Sequence, residues 1–249
     1  MTDPLLDVVD LSKSYGAVVA SDNLSFAVRP GEIHALIGPN GAGKTTAIGQ
    51  ISGEIRPSAG RIRFQGRDIT RLPTHRRAQL GLKRSYQITS LFPEFTAEDN
   101  VALAVQAQQG HSFRFWSRAR RDLALRTPAS QVLERIGLAA KAKLKVTELA
   151  HGEQRQLELA MALASEPALL LLDEPMAGMG QSESRAMMDL LRPLKGEIGI
   201  LLVEHDMDVV FALADRVSVL VKGALLMTGT PQEVRDDPEV RRAYLGDEA

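Results

Sequence analysis

The sequence has 249 residues and no cysteine; 44% are hydrophobic, 24% are charged, and 30 basic against 31 acidic side chains leave a formal net charge of −1. These figures describe a globular chain with a sizeable core and exclude a disordered, collagen-like or coiled-coil protein, a disulfide scaffold, a thiolate zinc site and a cysteine nucleophile. The balanced charge argues against a nucleic-acid partner. The opening MTDPLLDVVD has no basic stretch leading into an apolar one, so no secretory leader is expected. The longest apolar runs, such as Ala168 to Leu172 and Ile198 to Val203, fall far short of the roughly 20 residues that cross a bilayer. Any membrane role is expected to be peripheral.

In chain order, short strands are predicted at Leu5 to Val9, at Leu24 to Val28 after Asp22-Asn23, and at Glu32 to Ile37 after the Pro30-Gly31 turn. A glycine-rich segment from Gly38 leads into a helix over Lys44 to Ser52, and Arg61 to Gln65 reads as a strand. Thr74 to Leu80 has apolar spacing too sparse for a helix. The region of about 87–149 is helical in character, with patterns at Ala97 to Ala107 and Ser130 to Ile136. Strands and helices then alternate: a helix at Glu153 to Ala164, a strand at Leu169 to Leu172, a helix at Ser182 to Leu194, a strand at Gly199 to Val203 and a helix at Met207 to Ala214. Strands follow at Val217 to Val221 and Ala224 to Met227, and Thr230-Pro231-Gln232-Glu233 carries the cap, proline and acid of a helix start. Continuous apolar strands separated by helices imply a parallel sheet covered on both faces.

Gly38-Pro39-Asn40-Gly41-Ala42-Gly43-Lys44-Thr45 fits G-x-x-x-x-G-K-[ST], after a strand and opening a helix. Glycines without side chains let backbone N–H groups close around a β-phosphate, and the helix N-terminus adds a favourable field. Lys44 is expected to reach the β- and γ-phosphates, and the Thr45 hydroxyl to ligate magnesium. Leu169 to Glu174 then places Asp173 and Glu174 at the C-terminal end of a buried strand, the end at which open α/β sheets bind ligands. Asp173 suits a magnesium ion held through water, and Glu174 a general base on the attacking water.

Leu149-Ala150-His151-Gly152-Glu153-Gln154-Arg155-Gln156, lying between the two motifs, resembles the L-S-G-G-Q signature of the ATP-binding-cassette (ABC) ATPases, and the resemblance covers essentially the whole chain. It implies an α/β P-loop NTPase fold of ABC type over 1–249: a mainly parallel sheet and an antiparallel β subdomain over 1–86 and 150–249, and a helical subdomain over about 87–149. It implies ATP and Mg2+ as cofactors, with Tyr15 stacked on adenine and Thr46 beside the phosphates. Gln87 becomes the loop glutamine that senses magnesium and the membrane partner, and His205 the switch histidine near the γ-phosphate. Ala150, His151, Gly152 and Glu153 act on the ATP of a second subunit. Two departures stand out: Ala150 replaces the signature serine, which weakens closure on the partner's ATP, and Gly180 stands where many cassettes have aspartate.

Leu82-Lys83-Arg84-Ser85-Tyr86-Gln87, Leu91 to Val101, Asp173 to Met179, Val203 to Met207 and Ala243 to Gly246 resemble the first, Liv-type ATPase of branched-chain amino-acid importers, a group that also serves urea and amides. The implied partners are a second ABC ATPase or a second copy, transmembrane permease subunits that dock at Gln87 to Phe95, and, indirectly, a solute-binding protein; the implied location is the cytoplasmic face of the cell membrane. The alternatives are the ATPase of a lipopolysaccharide-type exporter, a non-transport ABC ATPase, and a nucleotide-binding pseudo-ATPase. His111 to Arg121, basic and holding the sole tryptophan, Trp116, suits either lipid headgroups and permease loops or a solvated helix.

Overall fold

The computed structural model describes residues 3–85, 91–109 and 122–245. The chain divides into two compact units, one formed by Met1–Arg84, Ala168–Glu174 and Leu191–Ala249, the other by Ser85–Pro167 and Pro175–Leu190. Gln87, Tyr86 and the segment 111–121 lie outside the described residues.

The first unit holds two sheets. Strands β1 (Leu6–Tyr15), β2 (Val18–Val28), β4 (Ala59–Phe64) and β5 (Arg67–Asp68) form an antiparallel sheet in the order β2-β1-β4-β5. The other sheet runs β10-β9-β3-β8-β7-β6, from β3 (Ile33–Ile37), β6 (Leu82–Arg84), β7 (Leu169–Asp173), β8 (Gly199–Val203), β9 (Arg216–Val221) and β10 (Ala224–Gly229). All its pairings are parallel except β9 with β10. Every residue of β3, β7 and β8 is buried. That burial explains their unbroken apolar sequences, because each face needs a cover.

On one face, Leu36, Leu169, Leu171, Leu201 and Val203 pack with Ala47, Ile48 and Ile51 of α1 (Lys44–Ser52) and with Leu6, Val8 and Phe64 of the antiparallel sheet. On the other, Ala35, Ile37, Val217 and Val219 meet Val210 of α7 (Met207–Leu213), Val234 of α8 (Pro231–Asp236) and Val240 of α9 (Pro238–Leu245). The Thr230 cap holds as expected: its hydroxyl accepts the Glu233 N–H at 3.3 Å and the Glu233 carboxylate accepts the Thr230 N–H at 2.6 Å.

Helix α2 (Thr74–Gln79) fills a segment that the sequence left unassigned. Its anchor is polar: Arg77 is 1% exposed and donates to the carbonyls of Leu72, Gln50, Ile51 and Thr70 at 2.7–3.0 Å. An arginine that satisfies carbonyls at the end of α1 and in the loop before α2 leaves no apolar periodicity to detect. Strand β1 also runs on to Tyr15, with register shifts at Val8/Leu11, Leu11/Lys13 and Lys13/Ser14 that break the alternation expected of one strand.

The second unit is built from α3 (Ala97–Gln109), α4 (Leu123–Arg135), α5 (His151–Leu163) and α6 (Gln181–Leu191), the last of which ends at the border between the units. Helix α4 begins well before the expected Ser130, because the Asp122 carboxylate caps it by accepting the Ala124 N–H at 3.0 Å; Pro128 sits inside it. Helix α6 stops at Leu191, and Arg192–Leu194, with Pro193, tighten into a 3-10 turn.

Candidate active site

Strand β3 runs straight into the glycine-rich loop, and α1 starts at Lys44. Gly43 sits at φ 101°, and a β-carbon there would lie 2.2 Å from the Ala20 carbonyl oxygen, so both conformation and space require glycine. No side chain caps α1, which leaves its first-turn N–H groups turned outward as an anion cradle. The Lys44 side chain is folded in: Nζ donates to the Gly38 carbonyl at 2.7 Å and the Pro39 carbonyl at 3.2 Å. Burial lowers its pKa, and the nearby Glu174 and Asp173 carboxylates offset part of that shift. Thr45 is exposed and Thr46 half-buried.

The neighbouring strand ends bring in the acids. Asp173 pairs in register with Val203, and Val203 with Leu36, so β7, β8 and β3 end side by side. Asp173 ends β7 buried, and Glu174 turns out of the strand at φ 50°, rare for a residue with a β-carbon, its N–H held by the Val203 carbonyl at 2.9 Å. From β8 comes His205, its side chain 62% exposed, with Nδ1 3.9 Å from Glu174 Oε1 and 3.8 Å from Glu204 Oε2. His205 is not a helix cap; Asp206 fills that role, accepting the N–H groups of Asp208 and Val209 at 2.9 and 3.4 Å.

Tyr15 ends β1 with 51% of its surface open, and the Lys13 ammonium lies 4.8 Å from its ring centroid. Two further site residues lie inside matched segments but were given no role there. Glu204 is 1% exposed beside His205, and Arg84 at the end of β6 places Nη2 2.8 Å from Asp173 Oδ2 and Nη1 2.6 Å from Glu54 Oε2. A buried acid beside a motif histidine, and an arginine closing a strand next to the acidic one, were the signals available.

Among the described residues no group of three or more His, Asp or Glu could hold a metal ion. Thr45 and Asp173 instead offer two hard oxygen donors, the set that suits a magnesium ion held mostly by phosphate oxygens and water.

The signature segment belongs to the second unit. Ala150, at φ −63° and ψ 158°, is the N-cap of α5, with His151 and Gly152 in the first turn. Glu153 Oε2 accepts the Ala150 N–H at 3.1 Å, and its other oxygen pairs with Lys141, so one half of a capping box is present. Alanine has no oxygen for the other half. Glu183 packs against this turn: a β-carbon on Gly152 would come within 2.7 Å of Glu183 Oε1, while Glu183 Oε2 accepts the Gly180 N–H at 3.0 Å. With aspartate absent at position 180, Glu183 supplies the carboxylate at the start of α6.

Residues 21–177 match the family described as ABC transporter. The chain belongs to that family. The cassette is therefore an ATP-binding transporter ATPase, and its fold accords: an ABC-transporter cassette solved in its ADP conformation superposes with a TM-score of 0.87 at 26% identity, covering 99% of this chain and 100% of that one. Residues 224–249 match a second family, described as branched-chain amino acid ATP-binding cassette transporter. The cassette is 39% identical to the high-affinity branched-chain amino acid transport ATP-binding protein LivG of Salmonella typhimurium, over 99% of this chain and 100% of that protein. It is 38% identical to the lipopolysaccharide export system ATP-binding protein LptB of Acidithiobacillus ferridurans, over 98% of each. No helix among the described residues is long and apolar enough to cross a membrane.

Proposed function

We propose that this chain, working as one cassette over 1–249, hydrolyses ATP at the carboxyl ends of β3, β7 and β8 to drive import of branched-chain amino acids through a separate permease at the cytoplasmic face of the membrane. The observation that carries the reading is the convergence of Lys44, Asp173, Glu174 and His205 on adjoining strand ends beside an uncapped helix start.

In this account the N–H groups of the loop Gly38 to Gly43 and of Lys44, Thr45 and Thr46 receive the phosphates. The Lys44 ammonium leaves the Gly38 and Pro39 carbonyls for phosphate oxygens, exchanging neutral acceptors for charged ones. Thr45 and Asp173 hold the magnesium ion, with Gln87; when bound, that ion neutralises phosphate charge. Glu174, turned out of its strand, takes the proton of the attacking water, and His205, within 4 Å of it, orients that water or the γ-phosphate. Tyr15 offers its open ring to adenine. The signature turn, Ala150 to Glu153, acts on the ATP of a second ATPase subunit, so the working unit is a dimer.

Phe92 and Phe95, 50% and 40% exposed and stacked at 5.4 Å, mark the permease-docking surface in the second unit. Leu91, grouped with them on sequence, is 8% exposed and belongs to the core. The match of 224–249 favours an importer over an exporter of the LptB kind. Deletion of the gene should abolish uptake of labelled leucine, isoleucine and valine, restored by the wild-type chain and not by Lys44→Ala. Normal uptake with a defect in lipopolysaccharide assembly would transfer the reading to export.

A further inference from the structure

Arg84 has no part in the mechanism above. It closes β6, the edge strand of the six-stranded sheet, opposite Leu171 of β7 and so two residues short of Asp173. Its side chain, 10% exposed, forks: Nη2 lies 2.8 Å from Asp173 Oδ2 and Nη1 2.6 Å from Glu54 Oε2. The Asp173 side chain is 2% exposed and that of Glu54 36%. Glu54 directly follows Gly53, the C-cap of α1. One guanidinium thus joins the far end of the phosphate-loop helix, the edge strand and the buried aspartate.

A buried carboxylate without a counter-charge is costly, and a rigid planar fork is the side chain best suited to compensate it. The other cation of the site, Lys44, spends its hydrogen bonds on the Gly38 and Pro39 carbonyls. Arg84 therefore stands where a metal ion's charge would otherwise be felt, on one oxygen of Asp173.

We propose that Arg84 is an internal counter-ion that regulates access of divalent cations to Asp173. In the nucleotide-free chain it offsets the Asp173 carboxylate, so a free cation meets a weakened negative site. With Oδ2 engaged by the guanidinium, the carboxylate alone holds a cation weakly, and the cation is retained only when phosphate oxygens arrive with it. Glu54 shares the guanidinium and so limits its hold on Asp173. The inference rests on Asp173 being the magnesium carboxylate.

The test is Mn2+ binding to the nucleotide-free full-length chain, read from the electron paramagnetic resonance signal of free Mn2+. Arg84→Gln should tighten Mn2+ binding by about tenfold or more, because a full positive charge leaves a poorly screened site. Arg84→Lys, which keeps the charge, should stay near wild type. A purely structural Arg84 would move the melting temperature and leave Mn2+ affinity unchanged in both variants, which overturns the proposal. Glu54→Gln alters a partly exposed side chain and tests the idea even if Arg84→Gln fails to fold. With the guanidinium undivided, the Mg2+ concentration needed to enhance binding of a fluorescent ADP analogue should rise about threefold; an unchanged requirement contradicts the proposal. Asp173→Asn separates the two levels. If it leaves the Mg2+ enhancement of nucleotide binding intact, the assignment of Asp173 fails. If it removes the enhancement while the Arg84 and Glu54 variants behave as wild type, only the role of Arg84 fails.

Discussion

Ala150→Ser should have two separable effects, because position 150 is the cap of a helix and, in the proposed dimer, the residue offered to the ATP of the partner subunit. Ala150 already has the extended backbone of an N-cap, and Glu153 already supplies the return hydrogen bond. A serine hydroxyl would accept the Glu153 N–H without moving the chain and complete the capping box, a gain of about 1 kcal/mol. For a chain of this size that corresponds to about 2–4 °C in melting temperature, measurable by calorimetry on the isolated chain. The same hydroxyl has a proton left to donate. In the assembled transporter it can reach the partner's γ-phosphate and lower the barrier there by one charge-assisted hydrogen bond, at most about 1.5–3 kcal/mol, or about tenfold to somewhat over a hundredfold in rate. ATPase activity should therefore rise in the assembly and change little in the isolated chain. A melting temperature that stays level or falls would refute the cap geometry. A higher melting temperature without faster turnover would refute the phosphate contact, and a slower assembly after His151→Ala would then identify His151 as the donor that replaces it.

Lys44→Ala should cost ATP affinity itself, since the ammonium is desolvated against two carbonyls and exchanges them for phosphate in the ground state; isothermal titration with an unchanged dissociation constant would contradict this. Arg77→Met should destabilise the first unit by about 3–5 kcal/mol, because four carbonyls lose a buried charged donor, and urea unfolding would show it as a lower midpoint; a loss under about 1 kcal/mol would mean that water replaces the guanidinium. Phe92→Ala should uncouple solute uptake from ATP hydrolysis while the isolated ATPase keeps its rate and stability, because the ring is half exposed; normal uptake would move the docking surface elsewhere.

The parallel sheet and the phosphate loop were legible because their physics is local. Buried strands such as Leu169–Asp173 must be apolar throughout, and a loop that wraps phosphate must lack side chains at fixed spacing. Asp173 and Glu174 followed because one ends such a strand and the other directly follows it, and His205 came from the resemblance to the cassette ATPases. What the sequence concealed depends on partners far along the chain. Arg77 makes a helix out of carbonyls at Gln50 and Ile51, and Arg84 finds Asp173 across 89 positions. Glu204 is hidden for a different reason: only the fold shows that an acid beside an exposed histidine is itself buried. Capping also escaped notice, as at Asp122, which starts its helix eight positions before the apolar pattern at Ser130.

The central claim, that the carboxylate turned out of β7 is the base of an ATPase that drives import, is tested most directly by Glu174→Gln in the reconstituted transporter with its other ATPase subunit silenced. The amide keeps the shape of the side chain and cannot take a proton. ATP binding should be retained, while ATP turnover and ATP-driven uptake of labelled leucine into proteoliposomes should fall together by about a hundredfold or more. Turnover and uptake that remain within about twofold of the unsubstituted chain would remove Glu174 from that role and leave the site without its base.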